Sequence, residues 1–243
     1  MKAAPQFQRQ LLDVQAVDTA IAQTEHRKRS LPEHAQIAEL AKRRAGILDA
    51  LVAARTAVGD LELEVAKAEA DLVPVHERRT RNQQRVDAGA ADPKALSALI
   101  DEIAHLDRRI SDLEDAQLEV MERLDAANAE QARLTDARAQ IEESLRGLMA
   151  SRDAQVAELD EVLAGHQGER AQLTSGIPAD LLALYDRIRE RSGGVGAAPL
   201  QGVRCGGCQL EATPAAIAVY HAAPDDEILR CEECDRILVR EAA

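Results

Sequence analysis

The chain has 243 residues, of which 46% are apolar, 30% are charged and only 1% are aromatic, and its formal net charge is −13. Aromatic side chains supply much of the buried surface of ordinary globular cores, so this composition argues against such a core. It is typical of long helices or a coiled coil, and it is too apolar for a disordered chain. The acidic balance disfavours a protein that coats DNA, because nucleic-acid-binding proteins carry a basic footprint.

Membrane and export signals are absent from the sequence pattern. No apolar run is long enough to span a membrane. The N-terminal stretch MKAAPQFQRQLLDVQAVD lacks the uninterrupted apolar core of a signal peptide. We therefore expect a cytoplasmic protein without membrane contact. In a reducing compartment, closely spaced cysteines are more often metal ligands than disulfides.

The first predicted element is a long helical arm. From Ile37 to Val86, seam residues recur alternately three and four positions apart, as the a and d positions of a heptad repeat do. Residues 6–30 extend this arm towards the N-terminus. We predict a break at SLPE, residues 30–33, because proline is tolerated in a first helical turn but not in a helix interior. We favour a fixed bend over a working hinge at this place.

A turn is predicted to follow the first arm. In VDAGAADPK, Gly89 can take a positive φ and end a helix. Asp92 can cap the next helix, with Pro93 in its first turn. The tip of the hairpin is therefore placed near residues 87–93.

A second seam runs from Leu96 to Val162. It keeps its phase over about ten heptads, whereas an ordinary surface helix with 3.6 residues per turn drifts away from a seven-residue repeat. Because a tight turn joins the arms, we predict an antiparallel coiled-coil hairpin over residues 1–170.

All four cysteines lie near the C-terminus, as Cys205-x-x-Cys208 and Cys231-x-x-Cys234. Two such pairs supply a tetrahedral shell of four thiolates for Zn²⁺. A redox CxxC would need a βαβ context, and a catalytic zinc site would keep an open position. We predict one structural zinc ion that contributes most of the folding free energy of residues 200–243, because so short a segment buries little core.

The residues around the cysteines predict a zinc ribbon. Residues 228–229 and 237–239 are apolar enough for short strands. A short helix is expected to start at Thr213 and Pro214. The Gly206-Gly207 pair suits a turn that needs an unusual φ.

Charge is distributed unevenly along the chain. Residues 200–243 contain eight acidic residues and four arginines, which favours a protein partner over phosphate groups. Basic residues concentrate near the hairpin tip. The simplest interpretation is that these basic residues lie on solvent-exposed helix faces. The alternative is that they bind nucleic acid. The candidate nucleic-acid contacts are Arg78, Arg79, Arg81, Arg85 and Lys94.

Three stretches resemble a bacterial family that has an N-terminal coiled-coil hairpin and a C-terminal four-cysteine (C4-type) zinc ribbon. They are DPKALSALIDEIAHLDRRISDLED (92–115), IPADLLALYDRIRERSGGVGAAPLQGVRCGGCQLEATP (177–214) and ILRCEECDRILV (228–239). The resemblance covers essentially the full length. It implies a connector helix and Gly-rich linker at 171–199, followed by the zinc ribbon at 200–243.

The resemblance also implies that the four cysteines are the zinc ligands. The family often has glycine where this chain has Asp235, in the turn after the last cysteine. Some members bind an alternative sigma factor tied to flagellar genes and a flagellar messenger RNA. Their contact residues do not carry over to this chain.

The predicted fold is mostly α: a long antiparallel hairpin followed by a small ribbon with short β-strands. Our first hypothesis for function is a non-enzymatic adaptor that docks protein partners of the transcription or RNA-handling machinery. The second is direct binding of RNA or DNA through the basic hairpin tip. An enzyme is disfavoured, because the sequence shows no Gly-rich phosphate loop and no Ser/His/Asp arrangement. Charged outer helix faces predict a monomer.

Overall fold

The computed structural model describes residues 1–89 and 92–240. Their contacts divide into two compact units: unit 1 comprises Met1–Ala35 and Met149–Ala243, and unit 2 comprises Gln36–Leu148. The predicted fold class, helical with a small C-terminal sheet, is confirmed. The elements are α1 (Pro5–Arg29), α2 (Pro32–Asp87), α3 (Pro93–Thr174), α4 (Ala179–Arg191), β1 (Ala197–Gln201), β2 (Arg204–Cys205), α5 (Pro214–Ala222), β3 (Leu229–Arg230) and β4 (Ile237–Arg240).

Unit 2 is an antiparallel pair of helical segments from α2 and α3. Arg44 donates to Glu142 at 2.9 Å, and Arg79 donates to Asp107 at 2.9 Å, so the partner number falls as the number along α2 rises. The buried side chains fall on the predicted seam, as a heptad pattern requires. They include Leu51, Val58, Leu61, Leu72, Leu99, Leu106, Ile110, Leu134 and Ile141.

The described part of the tip has the predicted capping. Gly89 has a φ of 65°. The Asp92 carboxylate accepts hydrogen bonds from the backbone N–H groups of Lys94 and Ala95 at 2.9 and 3.0 Å. Residues 90 and 91, in the middle of the predicted tip, lie outside the described residues.

Helix α1 ends at Arg29 and α2 begins at Pro32, within the segment where the sequence predicts a break. The Glu33 carboxylate accepts hydrogen bonds from Ser151 and Gln155 of α3. Hydrogen bonds to the Glu33 backbone, and then to Gln155, lower the pKa of this carboxyl group. The start of α2 is thus hydrogen-bonded to α3 just after the break. Whether the break is a fixed bend or a working hinge stays a prediction.

The α3 seam shifts by one position beyond Leu159. Val162, which the heptad pattern assigns to the seam, is 49% exposed, and Leu163 is buried instead. In this part of unit 1, α3 lies beside α1, where Lys28 contacts Asp160 at 2.6 Å. A helix with 3.6 residues per turn turns its apolar face gradually away from a strict heptad, so a four-residue step restores contact.

The sheet of unit 1 has the strand order β2-β1-β4-β3, and its central strands β1 and β4 are parallel. One face packs against α1 and α4, through Ala197, Ile237 and Val239. The other face carries Ala198, Leu200 and Leu238 towards α5 and the cysteines. The small sheet is therefore covered on both faces, as the parallel pairing of β1 with β4 favours.

The N-terminal half of α1 belongs to the core of this sheet. Leu11 and Val14 are fully buried in the same cluster as Tyr185 and Ile237. The Ala3 amide donates to the Asp226 carbonyl at 2.7 Å. The apolar spacing alone predicts that Leu11 and Val14 belong to the hairpin, because a helical repeat does not identify the element on which its apolar face packs.

A buried ionic cluster ties α1 to α3 and α4. The side chain of Asp18 is 1% exposed and lies 2.7 Å from Arg170 and 3.0 Å from Arg189. The Tyr185 hydroxyl donates to Asp18 at 2.7 Å. Burial, followed by the hydrogen bond to Asp18, raises the pKa of Tyr185. The Asp18 carboxylate of α1 is thus the common acceptor for side chains of α3 and α4.

Among the described residues, no helix combines the length and the apolar character needed to cross a lipid bilayer.

Candidate metal centre

Two turns bring the four predicted ligands together. Cys205 ends β2 and Cys231 follows β3, and each is followed three residues later by its partner, Cys208 or Cys234. The four Sγ atoms all lie within 4.8 Å of one another. The Sγ atoms of Cys205 and Cys234 are 3.9 Å apart, and those of Cys208 and Cys231 are 3.8 Å apart. All four are free thiols.

This geometry fits zinc. A tetrahedral ion with Zn–S bonds of about 2.3 Å holds its sulfurs about 3.8 Å apart. Two of the sulfur pairs here have that separation, and none of the four cysteines forms a disulfide. Four thiolates fill the tetrahedral shell, so the donor set is that of a structural site.

Backbone N–H groups of each turn point at the first sulfur of the pair. Burial raises the pKa of Cys205, and hydrogen bonds from the Cys208 and Gly207 backbones oppose the rise. Burial likewise raises the pKa of Cys231 to about 12, against hydrogen bonds from the Cys234 and Glu233 backbones. Both sulfurs are therefore protonated thiols near neutral pH until a metal displaces the protons.

Cys234 has the opposite character. Burial raises its pKa, but hydrogen bonds from the Arg236 backbone and side chain outweigh burial and lower the pKa to about 7. The Cys234 thiol is thus ionised more easily than those of Cys205 and Cys231.

Arg236 also anchors the zinc site to the linker after α4. Its guanidinium donates to the carbonyls of Ser192 at 2.6 Å and Val195 at 3.1 Å. On the other side of the linker, the Gln15 side chain accepts from the Gly196 amide at 2.7 Å and donates to the Gly194 carbonyl at 2.9 Å. No sequence pattern predicts these roles of Arg236 and Gln15, because their partners here are backbone atoms distant in sequence.

The glycine pair has a different role from the one predicted. Neither Gly206 nor Gly207 has a positive φ; Gln209 and Asp235 do, at 64° and 60°. A Cβ atom at Gly206 would lie 2.9 Å from Pro199, and one at Gly207 would lie 2.7 Å from the Arg236 side chain. The two glycines therefore let Pro199 and the Arg236 side chain lie close to the backbone of the first turn. Because the backbone at Asp235 has a positive φ, which glycine adopts without strain, glycine suits the turn after Cys234.

Helix α5 supports the second turn. Thr213 caps α5, as predicted, by accepting from the Ala216 amide. The Tyr220 hydroxyl donates to the Arg230 carbonyl at 2.9 Å and accepts from the Glu232 amide at 3.3 Å. The backbone before and after Cys231 is therefore fixed by one buried tyrosine.

Replacing Arg236 by alanine is expected to weaken zinc binding about ten- to a hundredfold, as is typical for residues that orient metal ligands. The variant loses the donor that lowers the pKa of Cys234 to about 7, so the loss should grow as the pH falls towards 7 and should level off below it. Competition with a chromophoric chelator measures the affinity of the full-length protein.

Arg204→Ala is the matched control. Arg204 forms an exposed ion pair with Glu211 at 3.0 Å, so its removal should change zinc affinity by less than about twofold. Equal effects of the two substitutions would contradict the role of Arg236.

The predicted nucleic-acid contacts lie among acidic residues. Arg79 pairs with Asp107 at 2.9 Å, and Arg81 pairs with Glu77 at 3.4 Å. Arg78 contacts Glu102. Arg85 and Lys94 are exposed on either side of the tip. The structure places all five in unit 2, with at least three of the cations balanced by a carboxylate.

Two family models match the chain. The model described as the CT398-like coiled coil hairpin domain matches residues 14–193. The model described as the C4-type zinc ribbon domain matches residues 204–238, which include all four cysteines. The ribbon therefore holds one structural zinc ion, as predicted.

Relatives are found in mycobacteria. The uncharacterised protein Rv2229c of Mycobacterium tuberculosis is 35% identical over 99% of this chain and 98% of its own length. The uncharacterised protein ML1638 of Mycobacterium leprae is 29% identical over 91% of this chain and 95% of its own length.

Solved structures show the same fold. A Mycobacterium smegmatis protein matches with a TM-score of 0.84 and 36% identity, over 99% of this chain and 100% of its own. CT398 from Chlamydia trachomatis matches with a TM-score of 0.71 and 16% identity, over 97% and 98% of the two chains. HP0958 from Helicobacter pylori matches with a TM-score of 0.54 and 17% identity, over 99% of this chain and 100% of its own. The last two similarities establish the fold alone.

Proposed function

The chain belongs to the CT398-like coiled-coil hairpin family, and we propose that it is a non-enzymatic cytoplasmic adaptor that docks protein partners. The partner class follows from the family resemblance: components of the transcription or RNA-handling machinery. The observation that carries the proposal is the closed donor set, because four thiolates leave the zinc ion no open position for a substrate. The metal then serves to hold a surface in shape.

The charge of the ribbon supports a protein partner. Residues 200–240 contain seven carboxylates and four arginines. Each arginine is engaged within the unit: Arg204 with Glu211, Arg230 with Asp235, Arg236 with the linker, and Arg240 with the carbonyls that follow α5. A four-thiolate zinc site adds two further negative charges. Such a surface attracts basic protein segments and repels phosphates.

Direct nucleic-acid binding at the tip has less support. The carboxylates of Glu102, Asp107 and Glu77 already neutralise three of the arginines. Binding phosphates would require breaking these ion pairs, although each exposed pair costs less than about 1 kcal/mol to break.

Affinity purification of the zinc-loaded full-length protein tests the proposal, with co-purifying protein and nucleic acid both identified. Two variants provide the comparison: Cys231→Ser, which removes a zinc ligand, and a fourfold alanine variant of Arg78, Arg79, Arg81 and Arg85. We expect protein partners that are retained by the fourfold variant and lost from Cys231→Ser.

Two outcomes would overturn the adaptor proposal. One is the reproducible absence of a protein partner. The other is recovery of RNA or DNA that is lost specifically from the fourfold variant, which would establish the nucleic-acid alternative.

A further inference from the structure

Helix α5 has an apolar face on its outer side as well as on its inner one. Its sequence is PAAIAVYHA. Ile217 and Tyr220 face the cluster around the cysteines. Ala215, Ala218, Val219 and Ala222 recur at the spacing of one helical stripe and are all exposed, and Val219 is 64% exposed. We name these four residues the α5 outer face.

Apart from the exposed His221, α5 is apolar all round, and such a helix is usually buried on all sides. The α5 outer face departs from this rule, and a second apolar area adjoins its start. Val203 and Leu210 are 47% and 53% exposed, and the Val203 carbonyl accepts from the Ala212 amide just before the cap of α5. Two further exposed apolar side chains therefore lie on the segment that leads into α5.

Carboxylates flank the α5 outer face at both ends. At the N-terminal end, Glu232 accepts from the Thr213 amide. At the C-terminal end, Asp225 and Glu227 follow the helix and are exposed. Two cations lie there: Arg240 donates to the Ala223 and Pro224 carbonyls and lies 4.0 Å from Asp225, and Lys2 pairs with Asp226 at 3.0 Å. Negative charge thus exceeds positive charge around the apolar stripe.

We propose that the α5 outer face is a docking site for a basic amphipathic helix of a partner protein, one with an apolar stripe and lysine or arginine at its flanks. The inference rests on the proposed adaptor function and names its surface and its partner's chemistry. Alanine side chains let a second helix approach to the close end of the usual 8–10 Å interaxial range. The flanking carboxylates attract the basic ends and select against acidic helices.

The size of the face sets the expected strength. Nine helical residues span about 13 Å, so the buried area falls in the small class typical of transient signalling contacts. A second copy of this acidic chain would place like charges around the same stripe, and nucleic acid would oppose phosphates to carboxylates. Both occupants are therefore disfavoured by charge.

The experiment compares two valine substitutions in the zinc-loaded full-length protein. Val219→Asp places a charge in the α5 outer face. Val52→Asp is the matched control, because Val52 is 65% exposed on a helix of unit 2. Zinc content and helix content should match wild type in both, which shows that each variant is folded.

The probe is a synthetic peptide of about four helical turns, with leucine and alanine on one face and lysine at both flanks. A second peptide carries glutamate in place of lysine. Fluorescence anisotropy gives the affinities, and NMR shifts in wild type locate the contact. We expect a dissociation constant below about 1 mM for the lysine peptide, at least tenfold weaker binding to Val219→Asp, and less than about twofold change for Val52→Asp.

Several results would overturn the proposal. They are no binding of the lysine peptide to wild type, equal loss in the two valine variants, equal affinity for the glutamate peptide, or NMR shifts outside α5 and its flanks. Self-association that Val219→Asp abolishes would identify a second copy as the occupant instead. If Val219→Asp still captures the protein partners of wild type, the docking site is refuted while the adaptor function stands.

Discussion

Removing zinc from the full-length protein is expected to unfold residues 197–240 while the helices of unit 2 persist. The sheet is small: β2 and β3 have two residues each, and the cluster on its α5 face includes all four cysteines. Small zinc modules gain on the order of 10 kcal/mol from the metal, so the ribbon cannot keep this face packed without it. Hydrogen exchange read by mass spectrometry should show loss of protection in β1 and β4 and little change in residues 36–87.

Two substitutions separate metal binding from general damage. Cys231→Ser removes a buried ligand and should reproduce the effect of a strong chelator, with less than one zinc per chain. His221→Ala changes the histidine that lies between the two cysteine pairs and should retain one zinc per chain, because the four sulfurs already complete the shell. Persistent protection of β4 in zinc-free protein would contradict the expectation.

The pH dependence of zinc binding has a defined sign. The raised pKa values of Cys205 and Cys231 mean that both thiols lose protons on binding. Apparent zinc affinity should therefore fall as the pH falls, and proton release should accompany titration with zinc.

The second large effect is expected from Asp18→Ala. The carboxylate of Asp18 is buried between Arg170 and Arg189 and also accepts from Tyr185. Its removal takes a buried carboxylate from two partly exposed arginines, although Arg170 keeps Asp186 at 2.7 Å. We therefore expect a loss of about 3 kcal/mol, the lower end of the range for a buried ion pair that loses one partner. The free energy of unfolding of zinc-loaded unit 1, from urea denaturation or hydrogen exchange, measures the loss.

Asp160→Ala is the matched control. Asp160 also pairs with a cation of α1, Lys28, at 2.6 Å, but its side chain is 52% exposed. Such surface pairs contribute less than about 1 kcal/mol. Similar losses for Asp18→Ala and Asp160→Ala would show that burial of the Asp18 cluster has little energetic consequence.

Local patterns explain which features the sequence predicts well. A heptad seam predicts helices and their buried faces wherever the partner repeats the same period, as Leu51 and Leu106 show in unit 2. The two CxxC pairs predict the zinc site because the ligands of each pair are three residues apart. Thr213 and Pro214 predict the start of α5 through capping chemistry alone.

Strand β1 shows where local patterns fail. Its sequence AAPLQ contains a proline and two alanines and lacks the β-branched residues that mark strands. It forms because β4 offers a parallel partner, in the register Ala197 with Ile237 and Pro199 with Val239. The pairing residue is some forty positions away, so no window of sequence contains it.

The sequence by itself determined the helices, the metal and its four sulfur ligands, because the helical repeat and each CxxC pair are local patterns. Only the tertiary structure decided that α1 packs on the sheet, that Asp18 gathers charges from α3 and α4, and that Arg236 ties Cys234 to the linker. These contacts join residues far apart in the chain. Their energy comes from burial and from backbone acceptors that no repeat or motif encodes.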